Sequence, residues 1–431
     1  MATDATLPVR RVWWWVFGGF LFQSIPAAVR DEALPIALKN LGREDAEITR
    51  WVAWLGLLVG IKILWAPLVG QIDRPPRLVL GCQAAIVLLL LGLQVGLGLP
   101  EGPWSFIALA LISIASACHD FALDGYYVAS LAEKPRAAYS GLLTFASKTG
   151  QVLAGPGLIW LAGRWHHVRL PRDPQGLAPG DNLLAWAAAW QQALGVAVAL
   201  AATCFILNAY AFRHEPSLPA GPKVGLGQTL AEFFRDRRFP AVLGLICFYR
   251  ASEVHLTRVL PLFSMAAPSA GGLGFDNESF AVLRLVTAIG GLALGGLAGS
   301  RVVARLGVGR ALLPLGVAMH LPLLGIYWLA QHPDASRLQV GLLYFGEYVA
   351  YGAGVCALLL AMMKFAAGPQ AAVRYAALST LALVANYLPG FWAGALATRL
   401  GYADYFAFAL LLALPGLAVT LWARRHFEDP A

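Results

Sequence analysis

The chain has 431 residues, of which 58% are hydrophobic and only 13% charged, with a formal net charge of +8 at neutral pH. A mean hydropathy of +0.64, with about half the roughly 25% charge content of an ordinary soluble domain, excludes a water-soluble enzyme or binding module. The Lys and Arg are spread over short connectors, which excludes a nucleic-acid-binding domain. The five cysteines sit in apolar segments without CxxC spacing, so neither a disulfide framework nor a zinc site is indicated.

A bilayer crossing needs about 20 apolar residues. The first such run, 12–31, follows Arg10 and Arg11 and ends near the small residues Ala27 and Ala28, as a secretory signal would. Trp13, Trp14, Trp15, Gln23, Ser24 and Pro26, followed by Arg30, Asp31 and Glu32, argue instead for a retained helix. Further spans are predicted at 51–70, 78–98, 104–131, 139–163 and 183–212. A second set follows at 240–264, 279–300, 309–330, 338–363, 373–398 and 403–424. The expected fold class is therefore an all-α membrane protein of twelve transmembrane helices. Its domains are a six-helix bundle over 1–212, a polar connector over 213–239 and a second bundle over 240–431. Connectors on the side of the termini carry a roughly two-to-one excess of Lys and Arg, which predicts both termini in the cytoplasm.

The charges inside the spans give the first functional signals. Lys62 and Arg284, Asp124 and Glu347, and Arg77 and Arg301 are separated by nearly the same number of positions. This points to two six-helix pseudo-repeats, and such repeats place solute sites at mid-membrane. In the fourth span Asp120 and Asp124 lie one helical turn apart and share a face. Acids at that depth mark an ion or substrate path, and a carboxylate screened from water next to a like charge can load and release a proton near neutrality. The plainer alternative is permanent neutralisation by Lys62 or Lys148.

On the fifth span Thr144, Lys148 and Gln151 form a polar stripe; Lys148 either pairs with a helix-four Asp or binds an anionic group. The seventh span, CFYRASEVHLTRVLPLF, holds Arg250, Glu253, His255 and Arg258 within nine residues, with Pro261 nearby to break the helix. A discontinuous helix lining a cavity is expected there, against a simply solvated end. Glu347 stands among Tyr344, Tyr348 and Tyr351, whose rings suit stacking on a sugar or anchoring at the lipid interface. His320 before Pro322 reads as a packing residue, and His166 with His167 is too little for a metal site. No P-loop, GxSxG or HExxH is present, which removes the usual signatures of ATP-driven transport and membrane hydrolysis.

Twelve spans in two halves with a basic connector resemble the major facilitator superfamily. The run GQIDRPPR, with Gly70, Asp73, Arg74 and Arg77, is similar to that superfamily's motif between the second and third helices, with the Gly-to-Asp spacing one residue short. IKILWAPLVGQIDR, with Lys62, Trp65, Ala66 and Pro67, and ACHDFALDGYY, with Asp120, Asp124 and Tyr126, resemble the AmpG-type permeases. That group holds muropeptide importers, acetyl-CoA transporters and some siderophore importers, and the likeness lies mainly in the first 160 or so residues. His119 departs from the pattern, standing where a Gln is common, and muropeptide permeases of the group tend to carry two further spans.

The resemblance implies proton-coupled import, driven by the proton gradient and without a cofactor, by a multi-pass protein of the bacterial inner membrane. Proton coupling is expected of Asp120, Asp124, Glu347 and Glu253. Solute binding is expected of Lys62, Lys148, Gln151, Tyr126, Tyr127, Arg250, His255, Arg258, Arg284, Tyr344 and Tyr348, and gating of Asp73, Arg74 and Arg77. The expected partners are a small solute, a proton and the lipid bilayer, with no nucleic acid, and the chain is expected to act as a monomer. Five cations against four acids within the spans favour an anionic, amphiphilic solute, a muropeptide or related sugar-containing compound first. A ferric siderophore is the alternative in the same family, and a non-transporting sensor or assembly factor the alternative outside it.

Overall fold

The structure is a computed structural model that describes residues 9–60, 75–96, 103–131, 133–169, 179–214, 234–367 and 371–427. Helix accounts for almost all of them, and no strand occurs among the described residues. In a bilayer this follows from the backbone, because a helix satisfies its own N–H and C=O groups where no water can. Nine helices among the described residues are long and apolar enough to cross a membrane. The second, fifth and seventh expected spans are not among them: the second runs into undescribed residues, and the other two carry the Lys148 stripe and the Arg250 cluster.

The elements are α1 (Val9–Ala28), α2 (Leu34–Asn40), α3 (Asp45–Gly60), α4 (Pro75–Gly96), α5 (Pro103–Ser130), α6 (Glu133–Ala154), α7 (Pro156–Arg169) and α8 (Pro179–Ala211). They continue as α9 (Phe239–Phe248), α10 (Ala251–Met265), α11 (Asn277–Leu306), α12 (Val308–His320), α13 (Pro322–Gln331), α14 (Arg337–Ala366), α15 (Ala371–Tyr387), α16 (Gly390–Leu400), α17 (Tyr402–Leu411) and α18 (Ala413–Ala423). The first crossing is longer than the expected 12–31, because a π-helical turn, Val29–Ala33, joins α1 to α2 and carries the helix on to Asn40. Several crossings are broken in two at prolines, Pro156, Pro322 and Pro389, which lack the N–H that would continue the ladder. Caps fix other starts: Asp276 accepts from Ser279 N at 2.7 Å ahead of α11, and Ser336 and Gln339 form a capping box at α14. Gly307 and Gly401, at φ +77° and +78°, turn the chain between α11 and α12 and between α16 and α17, a conformation open only to glycine.

The chain divides into two compact units, Met1–Gly42 with Leu58–Pro222, and Arg43–Leu57 with Lys223–Ala431. In the first, α1 packs along α6, and α4 packs on α5 and α8. The α1–α6 crossing is close because Gly150 faces Leu21 O, where a Cβ would collide with backbone. In the second, α11 packs along α14 with Gly291, Gly295 and Gly299 at four-residue spacing; a Cβ on Gly299 would lie 2.7 Å from Ala353 O. A separate apolar core joins Leu256, Val259 and Phe263 of α10 to Ile326, Tyr405 and Phe406.

Most of the expected first bundle, 1–212, lies in the first unit, but Arg43–Leu57 packs in the second. The reason is a matched small-residue surface. Gly390 and Gly394 of α16 bring their backbone onto Asp45, Thr49 and Ala53 of α3, Gly394 N donates to Thr49 Oγ1 at 3.2 Å, and Tyr402 Oη donates to Asp45 Oδ2 at 2.6 Å.

Candidate functional site

The seventh crossing breaks between α9 and α10, at Tyr249 and Arg250. The sequence pointed to Pro261 as the breaker, but Pro261 lies inside α10. Arg250 leaves helical geometry at φ −110°, ψ 8°, and its guanidinium turns onto the first turn of α10. Nε and Nη2 both reach Glu253 Oε2 at 2.9 Å. Glu253 is 1% exposed, so this charge is held by its ion pair and by the helix N-terminus. Arg250 also meets α14: Nη2 lies 3.4 Å from Tyr351 Oη and the guanidinium stands 5.2 Å from the Tyr351 ring centroid.

One turn from Tyr351 on α14 is Glu347, 2% exposed. Its Oε2 is buried without a hydrogen-bond partner, and Glu253, Arg284 and Arg250 lie within electrostatic reach. Arg284 of α11 lies over the Tyr348 ring at 5.3 Å. Arg258 of α10 lies over the Tyr387 ring at 4.6 Å and donates to Asn386 O at 3.1 Å. The second unit thus presents three guanidinium groups, each on a tyrosine, and two of them, Arg250 and Arg284, lie near the buried carboxylates Glu253 and Glu347. Such a constellation can hold an anionic group with bidentate hydrogen bonds and an aromatic floor.

Other expected residues of this unit are structural ties. His255 Nε2 accepts from Trp392 Nε1 at 3.1 Å, and its Nδ1 faces Ala251 O at 2.8 Å. Both ring nitrogens are therefore engaged in helix packing rather than turned to a solute. Tyr344, 1% exposed, bonds Ser264 at 2.6 Å and belongs to the apolar core.

In the first unit, Lys148 does not pair with a helix-four Asp. Its Nζ donates to Gln151 Oε1 at 2.9 Å, and Gln151 Nε2 donates to Glu32 Oε1 at 2.9 Å. Glu32 follows directly on the expected span 12–31, so the sequence alone assigns it no partner on α6; the π turn keeps it beside that helix. Asp120 is partly buried, with Oδ1 3.7 Å from His119 Nδ1. Asp124 is exposed, so the two acids are not a jointly buried pair. Tyr126 and Tyr127 correct the expectation of solute contact: they are 0% and 7% exposed, with their rings packed on Trp15, Phe20 and Phe212. Arg77 is exposed at the start of α4. Lys62, Asp73 and Arg74 lie outside the described residues.

No family model matches the chain. A curated Haemophilus influenzae protein of uncharacterised function is 25% identical over 434 residues, covering 94% of this chain and 92% of its own. The anhydromuropeptide permease of Escherichia coli is 24% identical over 392 residues, 89% of this chain and 74% of its own. A Rickettsia felis putative transporter, AmpG 4, is 22% identical over 430 residues, 94% of each chain. Among solved structures, a bacterial homologue of the lysosomal transporter Spinster superposes with a TM-score of 0.70 at 16% identity, covering 99% of this chain and all of that one. A D-xylose–proton symporter superposes at 0.68 with 13% identity, covering 98% of both. The chain is thus a multi-pass membrane protein with the twelve-helix fold of the major facilitator transporters, and its sequence is similar to the AmpG-type permeases.

Proposed function

We propose that the chain is a proton-coupled symporter that imports an anhydromuropeptide, or a closely related anionic sugar-containing solute, across the bacterial inner membrane by alternating access, as a monomer with both termini cytoplasmic. The observation that carries this reading is Glu347, a 2% exposed acid with one oxygen lacking a partner, within reach of two guanidinium groups mounted on tyrosines. The similarity to an anhydromuropeptide permease over 89% of the chain supports the solute class.

The coupling follows from charge balance. While Glu347 is ionised it competes with solute for Arg250 and Arg284. A proton on Glu347 removes that competition, and the freed guanidinium groups accept a carboxylate of the solute while Tyr348, Tyr351 and Tyr387 face its sugar or acyl surface. Solute departure and proton loss then restore the starting arrangement. Each ligand strengthens the other's binding, as linkage requires of a symporter. Within the first unit, Lys148, tied through Gln151 to Glu32, is the cation available to an anionic group, and Asp120 and Asp124 are the acids available to a proton.

Uptake of labelled anhydromuropeptide into proteoliposomes tests the reading. Accumulation should follow an imposed inward proton gradient and fail without one. E347Q should lose gradient-driven accumulation yet keep solute exchange, and D120N or D124N should also lower it. Full accumulation by E347Q, or indifference of the wild type to the gradient, rejects proton coupling. Accumulation of a ferric siderophore in place of the muropeptide rejects the solute class alone.

A further inference from the structure

A second buried polar cluster lies in the first unit, on α4, α5 and α8. Gln83, His119 and Asn208 are 0%, 1% and 0% exposed. Asn208 Nδ2 donates to Gln83 Oε1 at 3.2 Å, and Gln83 Nε2 meets His119 Nε2 at 3.0 Å. Gly18 on α1 leaves the space, since a Cβ there would stand 2.5 Å from Asn208 Oδ1, and Phe22 covers the imidazole at 5.3 Å. Three polar groups from three helices are costly in an apolar bundle unless they satisfy one another.

These bonds set a direction. Gln83 Oε1 is occupied by the Asn208 amine, so the Gln83 amine is the end that meets His119, and an amide amine only donates. His119 Nε2 therefore accepts, and the neutral ring carries its proton on Nδ1. Nδ1 stands 3.7 Å from Asp120 Oδ1, longer than a hydrogen bond, and both are buried atoms with no hydrogen-bond partner.

We infer that His119 is a positioning residue for Asp120: the Gln83–Asn208 pair fixes the imidazole so that its Nδ1–H is aimed at Asp120 Oδ1 and closes on it when the carboxylate is ionised. The arrangement is one-sided. A protonated Asp120 keeps a carbonyl oxygen that still accepts, but more weakly than a carboxylate, so the contact loosens when the acid is neutral. Among the described residues, titratable groups near Asp120 include Cys118 on α5, Cys82 on α4 and Asp124 one turn on along α5. Around the ring, α1 supplies Phe22 and α8 supplies Asn208, neither of which titrates. The inference deepens the proton-coupling reading and rests on it only for the uptake measurement below.

The test uses the full chain, labelled with 15N-histidine, in lipid nanodiscs, with the His119 signal assigned by its loss in H119L. Nitrogen NMR should show the neutral Nδ1–H tautomer, and Q83L should release the ring to Nε2–H. The infrared carboxylate band of Asp120, assigned with D120N, should shift in H119L and keep its wild-type position in H119N, whose amide donor occupies the Nδ1 place. Gradient-driven uptake should fall about tenfold in H119L, the scale of one hydrogen bond to a charged group, and recover in H119N. An Nε2–H tautomer in the wild type, or an unmoved Asp120 band in H119L, overturns the inference. Absence of gradient-driven uptake in the wild type would sink the proton-coupling reading and leave both spectroscopic results to decide this one.

Discussion

In the first unit two chains of polar side chains run through amides, alongside the ion pair of Arg30 with Asp31 at 2.7 Å: Lys148 is partnered by Gln151, which turns to Glu32, and His119 by Gln83, which Asn208 holds. In the second unit they are partnered by opposite charges and aromatic faces: Arg250 by Glu253 and Tyr351, Arg258 by Tyr387, Arg284 by Tyr348. An amide presents a donor at one end and an acceptor at the other without a net charge, so it can follow a change in its neighbour by rotating. An ion pair on an aromatic face keeps full charges in place and loses much when either partner goes. The amide chains of the first unit can thus adjust, and the Arg250 cluster of the second holds.

The sharpest way to break this contrast is R250A. Removing the guanidinium leaves Glu253 buried and uncompensated, which costs about 3–5 kcal/mol, read as a large fall in the thermal unfolding midpoint of purified protein. R250A combined with E253Q should recover most of that loss. K148A in the first unit leaves the Gln151 amide on Glu32 in place and should change stability by less than about 0.5 kcal/mol. Equal losses in R250A and K148A would erase the distinction.

Helix packing, by contrast, is alike in the two units. G295A pushes a methyl into Val349 O at the α11–α14 crossing, and G150A does the same to Leu21 O at the α1–α6 crossing. Both should cost about 1–3 kcal/mol, whereas G296A and G141A, with nothing within 4 Å, should be near neutral. A smaller loss of about 1–2 kcal/mol is expected for Y387L, which takes the aromatic face from Arg258. Thermal unfolding of the five variants side by side checks the order.

The crossings were legible in the sequence because a continuous apolar run has few other uses. The pair Arg250 and Glu253 was legible because a spacing of three places both on one face, and Glu347 because a lone acid stands out among tyrosines. The break at Tyr249 was less so: a proline is a visible breaker, and a guanidinium that folds back on its own helix is not. Gln83 and Asn208 escaped notice because neutral amides raise no alarm in an apolar helix. Glu32 needed the π turn, and the seat of α3 on α16 needed Thr49 to meet Gly394, 345 positions away in sequence. Contacts of that kind are made by the fold and carry no local pattern.

The smallest effect belongs to the connector, where the second unit's pairing of charge with charge and ring recurs in reach of solvent, Arg238 lying 5.3 Å over the Phe365 ring. Asp236 accepts from Arg238 Nη2 at 3.0 Å and from its backbone N at 2.9 Å. The Arg238 hydrogen bond is the main cause that holds the Asp236 carboxyl below its ordinary value. A carboxyl depressed by folding contributes stability that is fully present above its unfolded value, about pH 4, and is lost as pH falls through the lower folded value. Because Arg238 is 47% exposed, solvent screening limits the contribution to under about 1 kcal/mol. D236N should therefore match the wild type at low pH and fall slightly below it near neutrality, and 1 M salt, which shortens the screening length to about 3 Å, should shrink the gap. A gap that persists at low pH would mean that the loss comes from the backbone bond to Arg238 N rather than from the charge.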